Sequence, residues 1–254
     1  MIIIVESGYS TLDGTAVAYE SYQYWNDWAN YLEVEDPTGI AEFHKRGVLV
    51  FKSQVNDNLK KVRSMMDELG IGYENWDFEK IKEKFPILDD TSYYPARRPE
   101  DPDFGKKNES SLSGAIYYPE GGYISDLDDF NRNLTEQAKA QAYRLAQRIP
   151  DLRIPNQIQG VVDLYDVADD WIPIYDKSDL SGFYLAVGTS GNQYKTAPVV
   201  GKMMAELIVQ CENGKDHDID PVVFRLKHLK REVSMKFYSR LREINKESSF
   251  SVLG

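Results

Sequence analysis

The most regular pattern of apolar and polar positions in the chain lies between residues 160 and 214. An alternating run over residues 160–167 and an apolar run over residues 183–187 are both typical of β-strands. A polar, glycine-bearing segment follows, and from residue 197 the apolar side chains recur every three or four positions. The pattern therefore predicts two strands, a loop, and a helix over residues 197–210.

The loop in this pattern has the composition of a turn that lies close to a ligand. The four residues from Gly188 to Gly191 are two glycines and two hydroxyl residues, which favour tight turns and cannot continue a strand. Pro198 falls in the first turn of the predicted helix, and Gly214 lies beyond its end. A loop at a helix N-terminus offers backbone N–H groups and the positive end of the helix dipole. It therefore suits an anion, or a ring that becomes negative on reduction.

The rest of the chain combines helical and strand periods, so the predicted fold class is mixed α and β, in the range from α/β to α+β. The predicted strands are residues 2–5, 47–51 and 114–118. The predicted helices are residues 16–31, 58–69, 75–84 and 127–147, the third with Asn75 as its N-cap. Residues 89–113 are polar and contain several prolines, which predicts an exposed loop.

Composition and charge narrow the class of function. With 254 residues, 42% of them hydrophobic, the chain can bury a sizeable core in one or two domains. A formal net charge of −11 without a basic cluster argues against nucleic acid or an anionic membrane as a partner. Cys211 is the only cysteine, and His44, His217 and His228 are far apart, so no metal site is expected. Small-molecule chemistry fits this composition better.

Two further observations concern location. The first residues lack the basic start of a signal peptide, and no apolar run is long enough to span a bilayer. The expected location is cytoplasmic.

Several charged residues have both a functional and a plain interpretation. Arg97 and Arg98 have the chemistry of a carboxylate clamp, but the loop around them predicts solvated charges. Residues 216–218, Asp-His-Asp, could suggest a metal, but adjacent ligands on a short loop are unusual, so we expect a solvated acidic loop. The basic tail over residues 225–242 is interleaved with apolar residues. We expect it to pack across the body and offset the acidic surface.

Four motifs follow one another in the C-terminal half of the chain. They are Tyr165-Asp166, Asp170-Trp171-Ile172-Pro173-Ile174, Gly182-Phe183-Tyr184, and the segment from Gly188 to Lys195 with Pro198. Their order, spacing and residue types together resemble the C-terminal flavin segment of FAD-dependent oxidoreductases in the glycine oxidase, sarcosine oxidase and D-amino-acid oxidase family. A lone Gly-x-Ser-Gly would be a weak signal, whereas the combination is specific.

The resemblance implies a partial FAD-dependent oxidoreductase fold in which the loop lies against the flavin ring. The residues it assigns to cofactor binding are Gly188, Thr189, Ser190, Gly191, Asn192, Gln193 and Tyr194. Thr189 and Ser190 could equally be capping or turn hydroxyls. Lys195 matches a lysine that holds the substrate carboxylate in the sarcosine oxidase branch. Its plain alternative, a solvated lysine, would lie awkwardly at a positive helix N-terminus.

The same resemblance implies the reaction. The substrate would be a small-molecule amine, an amino acid or an N-methylated amino acid, oxidised at its CH–NH group by hydride transfer to flavin N5. Lys195 would position the carboxylate, and no side chain would need to act as a strong base.

The chain also departs from the family pattern. Glu6 could be a ribose ligand or a plain strand-ending carboxylate. A ribose ligand requires a Gly-x-Gly-x-x-Gly turn earlier in the chain, and no such turn precedes the strand at residues 2–5. The central sheet of the substrate domain has no counterpart between residues 126 and 148. The chain thus resembles a truncated member with a substrate-side α+β region over residues 1–124 and a flavin-facing region with a basic tail over residues 125–254, or one compact domain.

This departure leaves alternatives open. The chain could be a non-catalytic remnant, a subunit that needs a partner chain or a homo-oligomer to complete the flavin site, or an incomplete product without stable function. Because the adenosine and pyrophosphate ends of FAD have no recognisable cradle, we expect the isolated chain to bind FAD weakly or not at all.

Overall fold

The structure, a computed structural model, describes residues 2–5, 8–33, 41–52, 55–93, 95, 97–126, 136–154 and 165–248. The helices are α1 (Leu12–Asn26), α2 (Trp28–Leu32), α3 (Asp57–Leu69), α4 (Phe78–Lys84), α5 (Glu136–Arg148) and α6 (Ala197–Glu212). The strands are β1 (Ile2–Val5), β2 (Ala41–Lys45), β3 (Val48–Lys52), β4 (Glu74–Trp76), β5 (Gly114–Tyr118), β6 (Gly122–Asp126), β7 (Ile174–Lys177), β8 (Tyr184–Val187), β9 (Val223–Leu226) and β10 (Arg231–Ser234). The predicted mixed α and β class is confirmed.

All strand pairs in the described part of the chain are antiparallel. They form two three-stranded sheets, in the orders β1-β6-β2 and β3-β5-β4, and two hairpins, β7-β8 and β9-β10. Ile124 in β6 is opposite Ile3 on one side and Phe43 on the other. Ile116 in β5 is opposite Val50 on one side and Asn75 on the other. None of the described helices combines the length and the apolar character needed to cross a membrane.

Helix α3 illustrates how local signals fix an element. The side chain of Asn56 accepts a hydrogen bond from the N–H of Leu59 at 2.9 Å, which caps the helix start. Gly70 ends the helix in the left-handed region with a φ of 67°. Met65 and Met66 are buried in the same cluster as Leu59 and Val62 of this helix, so the methionine pair fills the core.

Two sequence predictions need correction. The aromatic helix expected over residues 16–31 is two helices, because Asp27 leaves the helical region with a φ of −130°. Asn75 does not cap a helix but pairs with Ile116 inside β4; the carboxylate of Asp77 caps α4 by accepting from the N–H of Lys80 at 2.8 Å. Residues 122–126, which precede the helix expected over residues 127–147, form strand β6, and the described part of that helix is Glu136–Arg148.

The largest buried cluster joins the N-terminal helix to the C-terminal half of the chain. Its buried members are Ala16, Val17, Ile172, Tyr175, Val199, Met203, Leu207, Val222, Leu226, Val233, Met235 and Tyr238. Val199, Met203 and Leu207 recur every four residues on α6 and form its buried face. This core contains residues from both predicted regions, 1–124 and 125–254. It places the loop between β8 and α6 against α1.

Candidate functional site

The predicted arrangement of strand, glycine loop and helix is present. The strand expected over residues 183–187 is Tyr184–Val187, and the helix expected over residues 197–210 is Ala197–Glu212, preceded by a 3₁₀ turn at Tyr194–Thr196. Of the strand expected over residues 160–167, residues 160–164 lie outside the described part of the chain. Val167 makes an isolated bridge to Thr189.

Asp166 organises the first half of the loop. Its carboxylate accepts hydrogen bonds from the N–H of Gly188 and, at 2.8 Å, from the hydroxyl of Thr189. Its carbonyl accepts from the N–H of Ser190 at 2.8 Å. The Thr189 hydroxyl and the Gly188 N–H stabilise the charged carboxylate and hold the pKa of Asp166 below its ordinary value. The first half of the loop therefore already holds an anion, and that anion belongs to the chain itself.

Ser190 and Gly191 owe their positions to contacts within the chain. The buried hydroxyl of Ser190 donates to the carbonyl of Gly188 at 3.2 Å, so it acts as a turn hydroxyl. Ser190 and Gly191 have φ values of 51° and 72°. A Cβ at Gly191 would lie 3.0 Å from the ring of Tyr165. Glycine is required there both for its backbone conformation and for the ring that covers it.

The second half of the loop is held by two tyrosine side chains. Tyr9 donates its hydroxyl hydrogen to the carbonyl of Asn192 at 3.1 Å, and Tyr175 donates to the side-chain oxygen of Gln193 at 3.4 Å. Burial raises the pKa of Tyr175 well above its ordinary value, so its hydroxyl stays protonated. Within the part of the chain that the structure describes, the backbone N–H groups of Gly191, Gln193 and Tyr194 donate to no protein acceptor. These N–H groups are the donors that this half of the loop offers to a ligand.

Lys195 is not a solvated lysine, because it is only 9% exposed. Its ammonium lies over the ring of Tyr9, 4.6 Å from the ring centroid. Its carbonyl accepts a hydrogen bond from the indole N–H of Trp25 at 2.9 Å, and the next carbonyl, of Thr196, accepts from the hydroxyl of Ser21 at 3.1 Å. Helix α1 thus fixes the backbone at the start of α6 and places the lysine beside the open N–H groups.

A stack of aromatic rings closes one side of the loop. Tyr194 stacks on Trp25 at 5.7 Å between centroids, Trp25 on Trp28 at 4.3 Å, and Trp28 on Tyr31 at 5.0 Å. The sequence predicted an apolar face on this helix but gave no sign that it would meet Tyr194. The partners lie about 170 positions apart, and only tertiary packing brings them together.

The C-terminal tail packs across the body, as predicted, through two arginines. Arg242 forms a two-pronged contact with Asp170, at 2.7 and 3.0 Å, and also donates to the carbonyl of Ile172 at 2.6 Å. Burial alone would raise the pKa of Asp170, but hydrogen bonds from Arg242 and from backbone N–H groups hold it below its ordinary value. Arg240 lies 3.1 Å from Asp176 and 2.8 Å from Asp218.

The remaining charged candidates are structural. Arg97 lies 3.2 Å from Asp101 in its own loop, as expected for a loop charge. Of residues 216–218, expected to form a solvated acidic loop, Asp216 and Asp218 are exposed as predicted, with Asp218 also pairing with Lys177 at 2.7 Å, whereas His217 is 1% exposed. Among the described residues, no group of three metal-ligating side chains comes together. Glu6 lies outside the described residues.

Neither a protein-family model nor a curated protein sequence matches this chain. The resemblance to the FAD-dependent oxidoreductases therefore rests on the motif residues of the sequence.

That geometry can be compared with what a flavin needs. The donors of Gly188 and Thr189 are committed to Asp166, so this half of the loop does not fit a phosphate. The N–H groups of Gln193 and Tyr194, which donate to no protein acceptor in the described part of the chain, are donors of the kind that the acceptor edge of a flavin ring needs. The residues present thus fit the ring of the cofactor rather than its diphosphate.

Proposed function

We propose that this chain is the flavin-facing part of an FAD-dependent oxidoreductase that acts on the CH–NH group of an amino acid or an N-methylated amino acid. The observation that carries the proposal is the placement of Lys195. Lys195 is 9% exposed in the 3₁₀ turn before α6, and the N–H groups of Gln193 and Tyr194, immediately before it, donate to no protein acceptor in the described part of the chain. A cation and helix N-terminal donors together attract a carboxylate and a negatively charged ring edge.

Each residue of the site has a defined task in this proposal. Lys195 binds the substrate carboxylate through a charge-assisted hydrogen bond. The N–H groups of Gln193 and Tyr194 donate to the acceptor edge of the ring. When bound, the flavin would supply the hydride acceptor for the carbon next to the substrate nitrogen. Tyr175 stays protonated and orients Gln193, so it does not serve as a base.

The proposal is tested by flavin titration. The loop offers donors to the ring but none from Gly188 or Thr189 to a phosphate, so FAD, FMN and riboflavin should bind with weak and similar affinities. Binding is measured as quenching of flavin fluorescence by the stacked rings of Trp25 and Tyr194. The Lys195→Met variant is the matched control and should bind flavin like the parent, because Lys195 binds the substrate carboxylate and not the ring. If none of the three flavins binds saturably, this chain alone is not a flavin enzyme, and only the two-chain candidate below keeps a flavin assignment. If stoichiometric FAD survives gel filtration, the chain has a phosphate site that its sequence does not reveal.

A second candidate is a subunit that completes the flavin site only with another chain. Exposed apolar side chains around the loop favour it, with Tyr165 54%, Val167 51% and Val187 43% exposed. Tight FAD binding that appears only when a chain with a dinucleotide-binding fingerprint is added would establish this candidate. Sedimentation at rising concentration separates it from self-association, because a homo-oligomer would assemble without the second chain.

A further inference from the structure

A fully buried carboxylate lies against an exposed imidazole at the turn between β9 and β10. The side chain of Glu20, on α1, is 0% exposed, whereas the side chain of His228 is 37% exposed. The carboxylate accepts hydrogen bonds from the backbone N–H groups of His228, at 2.9 Å, and of Leu229, at 3.0 Å. Nδ1 of the imidazole lies 2.9 Å from the same carboxylate. Glu20 thus binds both the backbone of the turn and the ring of His228.

These contacts fix which ring nitrogen of His228 carries the proton. A carboxylate that binds two backbone N–H groups acts as an acceptor, so Nδ1 is the donor of the third hydrogen bond. In the neutral imidazole the lone pair is then on Nε2. Nε2 makes no hydrogen bond within the described part of the chain. Because the Nδ1 edge meets a buried carboxylate, the exposed part of the ring is the opposite edge, on which Nε2 lies.

The other two histidines of the chain have different surroundings. His217 is 1% exposed, so a reagent in solution does not reach its ring. His44 lies 3.8 Å from Glu42, a carboxylate that is 74% exposed, so water screens their interaction. Among the contacts that the structure describes, the pairing of an exposed imidazole with a buried carboxylate occurs at His228.

This arrangement has the chemistry of an activated nucleophile. Histidine forms covalent intermediates with acyl groups through the nitrogen that has the lone pair. As Nε2 bonds to a carbonyl carbon, the ring becomes positively charged, and a carboxylate on Nδ1 stabilises that charge while it holds the tautomer. Glu20 is buried, so water screens its charge little. The same negative charge repels anionic reagents, which makes a neutral acyl donor the expected reaction partner.

We propose that His228 is an acyl-accepting site, at which Nε2 attacks neutral, activated esters and anhydrides, with Glu20 as its positioning residue. The Nε2 lone pair forms a bond to the carbonyl carbon, and the bond from that carbon to the leaving oxygen breaks with its electron pair. Water then takes the acyl group from the ring, which releases the carboxylic acid and a proton and restores the imidazole. The reaction needs no flavin, so it is tested independently of the proposed function.

Diethyl pyrocarbonate, a neutral anhydride, is the probe for the site. At about pH 7.5 an ordinary imidazole is mostly neutral and an ordinary amine is charged. Mass spectrometry that resolves each histidine should show His228 reacting at least about tenfold faster than N-acetylhistidine, and faster than His44. Equal rates at His228, His44 and N-acetylhistidine would overturn the proposal without any variant.

Turnover is measured as release of p-nitrophenolate from p-nitrophenyl acetate, above the rate in buffer. His228→Phe keeps an aromatic ring beside Tyr24, whose centroid lies 5.1 Å from that of the imidazole, and leaves both backbone N–H groups on Glu20. This variant should therefore fold and lose most of the release, whereas His44→Phe should keep it. Release that survives in His228→Phe would place the reaction elsewhere and contradict the proposal.

The part played by Glu20 has a readout of its own. Glu20→Gln removes the charge and keeps an oxygen that can accept from Nδ1, so the rate at His228 should fall to about that of N-acetylhistidine, with unchanged circular dichroism. In protein labelled with ¹⁵N-histidine, the parent ring of His228 should be the Nδ1–H tautomer, which a merely structural Glu20 does not require. An Nε2–H tautomer, or a parent rate retained in Glu20→Gln, would overturn the positioning role. If Glu20→Gln does not fold, the tautomer and the rate of the parent still decide.

Discussion

His217 should make the stability of this protein depend on pH in a way that one substitution removes. The imidazole is 1% exposed, and its Nδ1 accepts a hydrogen bond from the N–H of Val222 at 3.0 Å. This acceptor role assigns the proton of the neutral ring to Nε2. Nε2 lies 3.5 Å from a carboxylate oxygen of Asp176, and it has no hydrogen-bond partner within the described part of the chain.

A second proton on this ring meets opposition from several sides. Burial is the largest effect and lowers the pKa of His217, while Asp176 and Asp218 raise it and Lys177 and Arg240 lower it. The net result is a pKa below the ordinary value. Protonation of Nδ1 would also place two N–H groups face to face at Val222, immediately before β9.

The sign of the effect follows from linkage. In the unfolded chain the imidazole takes up its proton near pH 6.5, and in the folded chain only at lower pH. Between those values the unfolded state binds more protons, so the free energy of unfolding falls as the pH falls. One group contributes at most about 1.4 kcal/mol per pH unit. Above pH 6.5 this histidine contributes no pH dependence.

The matched perturbation is His217→Asn, because the side-chain oxygen of asparagine can accept from Val222 but does not titrate. Urea denaturation at about pH 7.5 and about pH 5.5 gives the free energy of unfolding of each protein. The parent should lose about 1 kcal/mol more than His217→Asn between these values. His44→Asn serves as the control for removing a histidine elsewhere. Parallel losses in the parent and His217→Asn, or a parent that is more stable at the lower pH, would refute the reasoning.

Three further predictions concern the site and the tail. Lys195→Met should raise KM for a carboxylate substrate roughly tenfold to hundredfold, through loss of one charge-assisted hydrogen bond, and leave the flavin absorbance spectrum unchanged. Gly191→Ala should lower the free energy of unfolding in urea by about 1–3 kcal/mol, because of its φ of 72° and the Tyr165 ring. Arg242→Met should cost about 3 kcal/mol in the same assay by leaving Asp170 buried without its cation.

Matched controls test the reasons behind these magnitudes. Gly214→Ala shares a positive φ, of 93°, but a Cβ there meets nothing within 4 Å, so its loss should be smaller than that of Gly191→Ala. Arg225→Met removes an exposed pair with Glu232 and should change stability by less than about 0.5 kcal/mol. A substrate without a carboxylate should be indifferent to Lys195→Met. Equal effects within any of these pairs would contradict the corresponding explanation.

The elements that the sequence predicted well are those fixed by their own residues. Asn56 and Gly70 bound α3 through a cap and a left-handed turn, and both signals are local. Asn75 was misassigned because asparagine and aspartate have similar capping preferences, and Asp77 stands two positions later. Asn75 cannot be the cap because it pairs with Ile116 in a strand. Ile116 lies 41 positions away, so the residues around Asn75 do not predict this contact.

The site shows the same division between local and long-range information. The loop between β8 and α6 could be placed from its glycines and from Pro198, since these act on the backbone beside them. Its partners could not be placed. Tyr9 and Asn192 are 183 positions apart in the sequence, and Trp25 and Lys195 are 170 apart. The spacing of residues in the sequence predicts neither hydrogen bond.

The tail contacts β7, and β7 contacts the loop between β8 and α6; the burial of His217 within residues 216–218 could not be predicted, because it depends on these long-range contacts. Arg240 holds Asp176 in β7, and the buried hydroxyl of Tyr175, one residue earlier, contacts Gln193 in the loop. Asp218 takes part because Arg240 and Lys177 meet it from two other segments. The acidic triplet therefore joins the C-terminal tail to the strand that supports the loop. A change at Arg240 should therefore affect the loop between β8 and α6 through Tyr175.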